Sequence, residues 1–175
     1  MILADLASAV LEAAKSRDIL LTTAESCTGG MVISALTDIA GSSAVVDRGF
    51  ITYSNEAKSA MLGVSPQLIT THGAVSIEVV RAMAAGALEQ IKSDKISHKG
   101  RLAVATSGIA GPGGGSRDKP VGLVWFGLAM EIEDRQILTA EKQIFDGDRK
   151  AVRQAATLHA LRMMRDQLAA ESSLG

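Results

Sequence analysis

The sequence predicts an α/β fold with a mixed sheet, because strand-like and helix-like segments alternate along the chain. An apolar run at 19–24 leads through a tight turn into a helical apolar pattern at 31–39. A longer helical pattern covers 77–91. Two β-rich runs, at 121–130 and 136–145, are joined by a short polar segment, which predicts an antiparallel hairpin.

The composition indicates one globular domain, which we place over residues 1–175. Hydrophobic residues make up 47% of the chain and charged residues 21%, with a formal net charge of -1, which is typical of an ordered protein. A chain of 175 residues can bury a core without disulfides or metals. Aromatic residues are only 3%, and no Lys/Arg run is present, so we expect no nucleic-acid partner.

The cysteine count and the N-terminus predict a cytoplasmic protein. The single cysteine, Cys27, has no partner for an internal disulfide, which fits a reducing compartment. Asp5 lies where a signal peptide would carry positive charge, and no apolar stretch approaches the roughly 18 residues of a membrane span. We therefore expect no membrane association.

The first third of the chain predicts two helices and two strands. An apolar stripe with charge on the opposite side indicates a packing helix over 5–17. The strand at 19–24 and the helix at 31–39 follow, and Gly-Ser-Ser at 41–43 ends that helix. The next segment, 45–54, is rich in strand formers and predicts the second strand.

The middle of the chain predicts three helices and a connector. Asn55 is the expected N-cap of a short helix, and a helical piece is expected over 66–69. Ser76 is the expected N-cap of the helix over 77–91, which has the most regular apolar face in the chain. A polar connector then covers 92–100.

The last part of the chain predicts three strands and a helix. The first strand covers 101–106. The almost continuous apolar character of 121–130 favours a central strand, whereas polar residues in 136–145 favour a position nearer an edge. Asp-Gly-Asp at 146–148 precedes a long helix that closes the domain.

The turn between the first strand and the second helix is a candidate reaction centre. It places Ser26 at the carboxyl end of a strand, beside the first N–H groups of a helix, which have no intrahelical partner. We predict that Ser26 is the nucleophile and Thr28 the N-cap, and that the N–H groups of Gly29, Gly30 and Met31 bind an oxyanion or a phosphate. A capped helix start without a catalytic role is the alternative.

Lys58 is the candidate general base. It falls at the third position of the helix that Asn55 would cap, where the helix dipole disfavours an ammonium, and burial would add to that effect. The alternative is that Lys58 extends into water. Ser26 and Lys58 together would suit acyl transfer on an amide. Cys27 is the rival nucleophile, although neighbouring residues of an extended backbone point in opposite directions.

A glycine-rich loop at 107–115 and an arginine are further candidates. The glycines would let N–H groups approach a phosphate, but their spacing matches neither the P-loop nor the dinucleotide motif, and a flexible turn is the alternative. Arg149 lies in the first turn of the last helix, where a cation is unfavourable. It is either kept for a ligand or paired with Asp146 or Asp148.

The histidines do not predict a metal site. His72, His98 and His159 are far apart and lack partners at ligand spacing. His159 falls on the apolar side of the last helix, which indicates packing. Ser116 and Lys119 have a Ser-x-x-Lys spacing, but they lie in a Gly/Pro loop and not at a helix start, so we treat the spacing as chance.

Six short motifs, in order and over most of the chain, resemble the CinA C-terminal domain family. They are TAESCTGG at 23–30, GSS at 41–43, YSNEAK at 53–58, HGAVS at 72–76, SGIAGP at 107–112 and KPVG at 119–122. The resemblance implies a three-layer α/β/α sandwich whose central sheet is mostly parallel. For stand-alone members it also implies hydrolysis of nicotinamide mononucleotide (NMN) to nicotinic acid mononucleotide and ammonia, in pyridine nucleotide recycling.

The resemblance also implies roles for individual residues. The family's serine nucleophile falls on Ser26 and its lysine partner on Lys58, while Tyr53, Asn55 and Ser107 match positions that line the family's site. The full set of predicted substrate-binding residues is Thr28, Gly29, Gly30, Ser42, Tyr53, Asn55, Ser107, Gly108, Gly111 and Arg149.

No cofactor is expected. The family resemblance implies a homo-oligomer, in which a neighbouring subunit could complete the site. The competing function is a non-catalytic module that binds nucleotide or mediates assembly. A different amide substrate, such as nicotinamide itself, is a third possibility, and its hydrolysis would not need the ribose phosphate.

Overall fold

A mixed sheet of five strands forms the centre of the molecule, in a computed structural model that describes residues 2–91 and 98–170. β1 pairs in parallel with β2 and with β3, whereas β4 is antiparallel to both β3 and β5. Four strands therefore point the same way and β4 runs against them. In spatial order the strands are β2 (Val46–Ile51), β1 (Ile19–Glu25), β3 (Gly100–Gly108), β4 (Leu123–Ile132) and β5 (Arg135–Ile144).

Helices cover both faces of this sheet. Side chains of β1 alternate between the two layers: Leu21 packs in one and Leu20 in the other. The predicted α/β/α sandwich is therefore confirmed, and none of these helices could cross a bilayer. One face carries α1 (Leu3–Arg17), α2 (Met31–Thr37) and α6 (Arg149–Ala170); the other carries α3 (Asn55–Leu62), α4 (Pro66–His72) and α5 (Ile77–Gln90).

The predicted antiparallel hairpin is confirmed. β4 and β5 pair from Leu123 opposite Ile144 to Ile132 opposite Arg135. β4 lies between β3 and β5, and most of its side chains are buried, as its apolar sequence predicts. β5 is an edge strand whose side chains are mostly exposed.

Two predicted helix starts have different outcomes. Ser76 is the N-cap of α5, since its Oγ accepts a hydrogen bond from the N–H of Val79, as predicted. The N-cap of α3 was wrong by one residue, because Ser54 Oγ accepts from the N–H of Ala57 and Asn55 is the first helical residue. A hydroxyl and an amide are both good caps, so neighbouring candidates are hard to separate.

Other predicted boundaries shift by a few residues. The helix predicted over 31–39 ends at Thr37, and the strand predicted over 45–54 shortens to β2. Residues 92–97 of the predicted connector lie outside the described residues. Such shifts are expected because helix and strand ends fray.

Parallel pairing brings the carboxyl ends of three strands to one edge of the sheet. Glu25, the last residue of β1, lies opposite Ile51 of β2 and Thr106 of β3. The segments that leave these strands therefore start side by side. They are the turn containing Ser26, the approach to α3, and the glycine-rich loop; this edge is where α/β sheets usually bind ligands.

The end of α3 packs against α5 without an intervening side chain. Gly86, in the middle of α5, faces the last turn of α3, and a Cβ built at Gly86 would lie 2.0 Å from the carbonyl oxygen of Leu62. The two helices approach this closely because residue 86 has no Cβ.

We predict that Gly86→Ala lowers the free energy of unfolding by about 1–3 kcal/mol, because the added methyl forces α3 and α5 apart. In an unobstructed helix the same change would stabilise the protein by up to about 1 kcal/mol. Urea denaturation of both proteins measures the difference. Gly113→Ala is the matched control, since a Cβ there has no atom within 4 Å. An unchanged or raised stability of Gly86→Ala would contradict the packing described.

Candidate active site

Ser26 is held at the carboxyl edge of the sheet. It directly follows β1, and its backbone N–H donates to the carbonyl oxygen of Thr106 at 3.0 Å. The residue is 8% exposed, so its hydroxyl lies at the base of an accessible depression and not on the open surface.

The side chain of Lys58 reaches Ser26 from α3. Its Nζ lies 3.0 Å from Ser26 Oγ, and it also donates to the carbonyl oxygens of Thr52 at 2.9 Å and Tyr53 at 3.2 Å. Lys58 is 1% exposed, so the alternative that it extends into water is wrong. Because α3 starts at Asn55, Lys58 is its fourth residue and not the third.

The surroundings of Lys58 favour its neutral form. Burial lowers the pKa of Lys58 from the ordinary value of 10.5, and the charges of Cys27 and Glu56 oppose that shift. A neutral amine has two N–H groups and one lone pair. The two carbonyl oxygens can take the N–H groups, which leaves the lone pair for the proton of Ser26.

Cys27 does not compete as a nucleophile. Burial raises the pKa of Cys27 to about 11, although hydrogen bonds with its own backbone and with Thr106, and the charge of Arg153, oppose the rise. The thiol therefore keeps its proton at neutral pH, and the thiolate is the reactive form of cysteine. At neutral pH the uncharged thiol therefore does not raise the pKa of Lys58, since that effect requires a thiolate.

A buried carboxylate organises the turn that follows Ser26. Glu25 is fully buried and accepts five hydrogen bonds of 2.7–3.1 Å, so it caps the N-terminus of α2 from a position before the helix. This role was not predicted from the sequence, although a carboxylate at the end of a buried strand must find donors. Those donors are the N–H groups of Gly30, Val32 and Ile33 and the hydroxyls of Thr23 and Thr28.

The predicted anion site at the start of α2 needs correction. The Thr28 hydroxyl bonds to Glu25 and Thr106 and does not cap the helix, whose N-cap is Gly30. The three N–H groups expected to bind an anion already have internal acceptors, so none is free for substrate. Gly29 donates to the Ser26 carbonyl, Gly30 to the Glu25 carboxylate and Met31 to the Thr28 carbonyl.

A cavity of about 260 Å³ opens beside Ser26 and Lys58. It gathers most of the residues that the sequence analysis selected around one small space, and three elements following parallel strands contribute to it. The lining residues are Ser26, Cys27, Tyr53, Asn55, Lys58, Ala74, Val75, Ser107, Gly108, Ala110 and Arg149.

Arg149 lies at the wall of this cavity. Its guanidinium donates to the carbonyl oxygen of Gly111 at 2.8 Å and to the hydroxyl of Tyr53 at 3.1 Å. The alternative of an ion pair with Asp148 is not what the structure shows, since the Asp148 carboxylate caps α6 by accepting from the N–H of Ala151. Gly111 thus positions Arg149 and does not itself line the cavity.

Ser107 and Ser42 have different positions. Ser107 lines the cavity and donates to the carbonyl oxygen of Ala74 at 2.7 Å, which ties the start of the glycine-rich loop to the segment before α5. Ser42 lies in a short 3₁₀ helix, Ser42–Ala44, that precedes the amino end of β2. Because β2 and β1 are parallel, Ser42 is at the opposite edge of the sheet from Ser26, and its predicted binding role finds no support within this chain.

A larger groove of about 610 Å³ lies between α3 and α4 and meets the cavity at Asn55. It contains neither the serine nor the lysine, so we place the reaction centre in the smaller cavity. Its other lining residues are Glu56, Ser59, Ala60, Pro66, Ile69 and Thr70.

Metal-binding side chains do not gather in the part of the chain that the structure describes: no three His, Cys, Asp or Glu residues there could hold an ion. The predicted packing role of His159 is confirmed, since its ring lies 4.5 Å from that of Phe126 between ring centroids and it bonds to Glu141.

Known proteins resemble the chain over almost its whole length. A family model described as the CinA C-terminal domain matches residues 3–168. The chain is 50% identical over 165 residues to "Nicotinamide-nucleotide amidohydrolase PncC" of Escherichia coli strain K12, with 94% of each chain covered.

Two solved structures share the fold. The competence/damage inducible protein CihA from Agrobacterium tumefaciens has a TM-score of 0.81 and 43% identity, with 95% of each chain covered. A CinA superfamily protein from Klebsiella pneumoniae has a TM-score of 0.84 and 36% identity, over 97% of this chain and 99% of that one.

We predict that Glu25→Gln lowers the free energy of unfolding by about 2–4 kcal/mol, because a side-chain NH₂ would face backbone donors that lose their acceptor. Thermal or urea unfolding followed by circular dichroism measures the loss. Glu12→Gln is the matched control: Glu12 is 75% exposed and pairs with Lys15 on the surface of α1, so the stability of this variant should change by less than about 0.5 kcal/mol. Equal losses in the two variants would contradict the capping role.

Proposed function

Since the chain belongs to the CinA C-terminal domain family, we propose that it hydrolyses the carboxamide of NMN to nicotinic acid mononucleotide and ammonia, as part of pyridine nucleotide recycling. The observation that carries this proposal is the hydrogen bond of 3.0 Å between a buried Lys58 amine and the Ser26 hydroxyl. The name of the E. coli relative, a nicotinamide-nucleotide amidohydrolase, supports the choice of substrate.

In the first step, neutral Lys58 takes the proton of Ser26 while the serine oxygen attacks the carboxamide carbon. The carbonyl oxygens of Thr52 and Tyr53 hold the amine before the transfer and stabilise the ammonium after it. Lys58 can therefore change charge without moving. Its lowered pKa supports this role, since only an unprotonated amine can accept the serine proton.

The developing oxyanion needs hydrogen-bond donors close to Ser26. The amides at the start of α2 are occupied, so we assign this role to the N–H groups of Cys27 and Thr28. Neither donates to a carbonyl or carboxylate oxygen anywhere in 2–91 or 98–170. The N–H of the residue after a catalytic serine serves this purpose in other hydrolases.

The tetrahedral intermediate then collapses. The carbon–nitrogen bond breaks, protonated Lys58 returns its proton to the leaving nitrogen, and ammonia departs. Water, deprotonated by Lys58, attacks the acyl-serine ester, and the ester bond breaks to regenerate the Ser26 hydroxyl and release the acid. One water is consumed and one ammonia is formed for each NMN.

Arg149 is the candidate partner for the substrate phosphate. It is a cation at the cavity wall whose partners, the Tyr53 hydroxyl and the Gly111 carbonyl, are both uncharged. The guanidinium can therefore bind a phosphate, as a hydrogen-bond donor, without breaking an ion pair. Asn55, Ser107 and Gly108 complete the polar lining, and this arrangement favours a nucleotide over nicotinamide itself.

The paired serine and lysine also favour catalysis over a module that only binds nucleotide. Burying an amine beside a serine costs free energy and brings nothing to simple binding. An enzyme, in contrast, needs a base of lowered pKa at that position.

We predict that Ser26→Ala lowers ammonia release from NMN by at least about 10³-fold, because no other group forms the acyl intermediate. A coupled assay for ammonia measures the rate, with nicotinamide as a second substrate that should react poorly. Ser16→Ala is the control, since Ser16 is exposed on α1 and should keep full activity. Full activity of folded Ser26→Ala would refute the nucleophile.

We predict that kcat/KM for NMN rises with pH as Lys58 loses its proton, with a midpoint below 10.5 because burial lowers the pKa of Lys58. The sign follows from the mechanism: the protonated form, present below that midpoint, cannot act as base. Lys58→Met should lower kcat by at least about 10²-fold and change KM little.

Lys58→Arg is the matched variant for the pH profile. It keeps a cation that stays protonated, so its residual rate should lack this rise with pH. A pH profile in both variants that matches the wild type would show that another group is the base.

A further inference from the structure

Arg153, a residue of α6, contacts the turn after Ser26. It lies one helical turn beyond Arg149 on α6, and its guanidinium bonds to two successive backbone carbonyls. Nε donates to the Cys27 oxygen at 3.0 Å, and Nη2 donates to the Thr28 oxygen at 2.9 Å. Arg153 was not predicted from the sequence as a site residue, although residues four apart share a helix face.

These contacts set the direction of the N–H groups. In a trans peptide the C=O and the following N–H point in opposite directions. Because the Cys27 carbonyl points to Arg153, the Thr28 N–H points away from it. The Ser26 carbonyl accepts from the Gly29 N–H at 3.1 Å, which in the same way fixes the Cys27 N–H.

The turn is therefore held by opposite charges acting on its two kinds of backbone group. Glu25 binds N–H groups at the start of α2, and Arg153 binds carbonyls that precede them. The N–H groups of Cys27 and Thr28 belong to the same turn and have no oxygen acceptor within the described parts of the chain. Cys27 also lines the cavity.

Gly29 makes room for this contact. Its φ is +60°, and a Cβ built there would lie 3.0 Å from Nη2 of Arg153. A side chain at residue 29 would be strained and would press on the guanidinium. The glycine at this position therefore serves the approach of Arg153, and not the approach of an anion.

We propose that Arg153 is a positioning residue that aims the N–H groups of Cys27 and Thr28 at the oxyanion formed on attack by Ser26. This inference rests on the proposed function, because it assigns a part of that reaction. The guanidinium acts through the two carbonyls. The Cys27 carbonyl belongs to the peptide of the Thr28 N–H, and the Thr28 carbonyl belongs to the peptide of the Gly29 N–H, whose bond to the Ser26 carbonyl fixes the Cys27 N–H. The cationic hydrogen bonds of the guanidinium also polarise the peptide groups, which strengthens the N–H donors.

The test is a steady-state comparison of Arg153→Met and Arg162→Met on NMN. Both lie on α6, and Arg162 is exposed and away from the cavity, so its variant should match the wild type. Loss of a single oxyanion donor costs about 10²–10³ in kcat elsewhere, so misaligned donors in Arg153→Met should cost about 10–10²-fold. KM should change by less than about threefold, because the donors act on the transition state.

The pH profile separates this role from general structural support. Arg153 does not contact Lys58, so the midpoint of the rise in kcat/KM should stay at its wild-type value while the plateau falls. Arg153→Lys keeps a cation but not the paired donors, so its kcat should lie between wild type and Arg153→Met. The kcat of Arg153→Lys also tests the positioning role if Arg153→Met does not fold.

Three results would overturn the proposal. They are a folded Arg153 variant with wild-type kcat, a loss confined to KM, or a shifted pH midpoint. Failure of the proposed function is seen separately, as a wild type that releases no ammonia from NMN or a Ser26→Ala variant with full activity, and it removes the premise of this inference. If the wild type hydrolyses NMN and Arg153→Lys has the same kcat, only the positioning role is overturned.

Discussion

Desolvation of one amine is the constraint on which the site depends. Lys58 is buried to 1% exposure, and its hydrogen bonds go to a serine hydroxyl and two backbone carbonyls. An ammonium in that position loses more hydration than neutral acceptors return, so the uncharged form is favoured. The surrounding elements fix this environment: β2 delivers the carbonyls, α3 the lysine and β1 the serine.

The turn after Ser26 shows how a reactive segment can be rigid without extensive hydrophobic contact. A short segment between β1 and α2 has few side chains to pack, so hydrogen bonds of its backbone with the buried Glu25 carboxylate and the partly buried Arg153 guanidinium hold it instead. Glu25 satisfies the helix start, and Arg153 satisfies carbonyls of the turn. This use of the α2 N-terminus explains why the N–H groups of Gly29, Gly30 and Met31 are bonded within the chain and are not free for an anion.

The sequence predicted the sheet and the contact between Ser26 and Lys58 better than it predicted the other polar contacts. Apolar periodicity determines which faces are buried, so the sandwich, the hairpin and the cap at Ser76 could be recognised from local patterns. Ser26 and Lys58 could be paired because turn chemistry and motif resemblance selected the same residues.

The hydrogen-bond partners of Glu25 and Arg153 could not be predicted in this way. Hydrogen-bond partners of long side chains depend on tertiary geometry that a one-dimensional pattern does not contain. The position of Ser42 could not be predicted for a related reason, since a motif position does not show at which edge of a sheet its residue lies.

The contact between Gly86 and the Leu62 carbonyl also bears on how the family can diverge. The helix that carries Lys58, α3, packs against α5 at Gly86, where the side chain is a single hydrogen atom. A larger residue at 86 would displace α3, and Lys58 with it, unless the backbone near 62 moved as well. Among related proteins, replacement of this glycine should therefore coincide with insertions, deletions or altered packing at the end of α3. Residue 86 and the end of α3 would then change together in evolution.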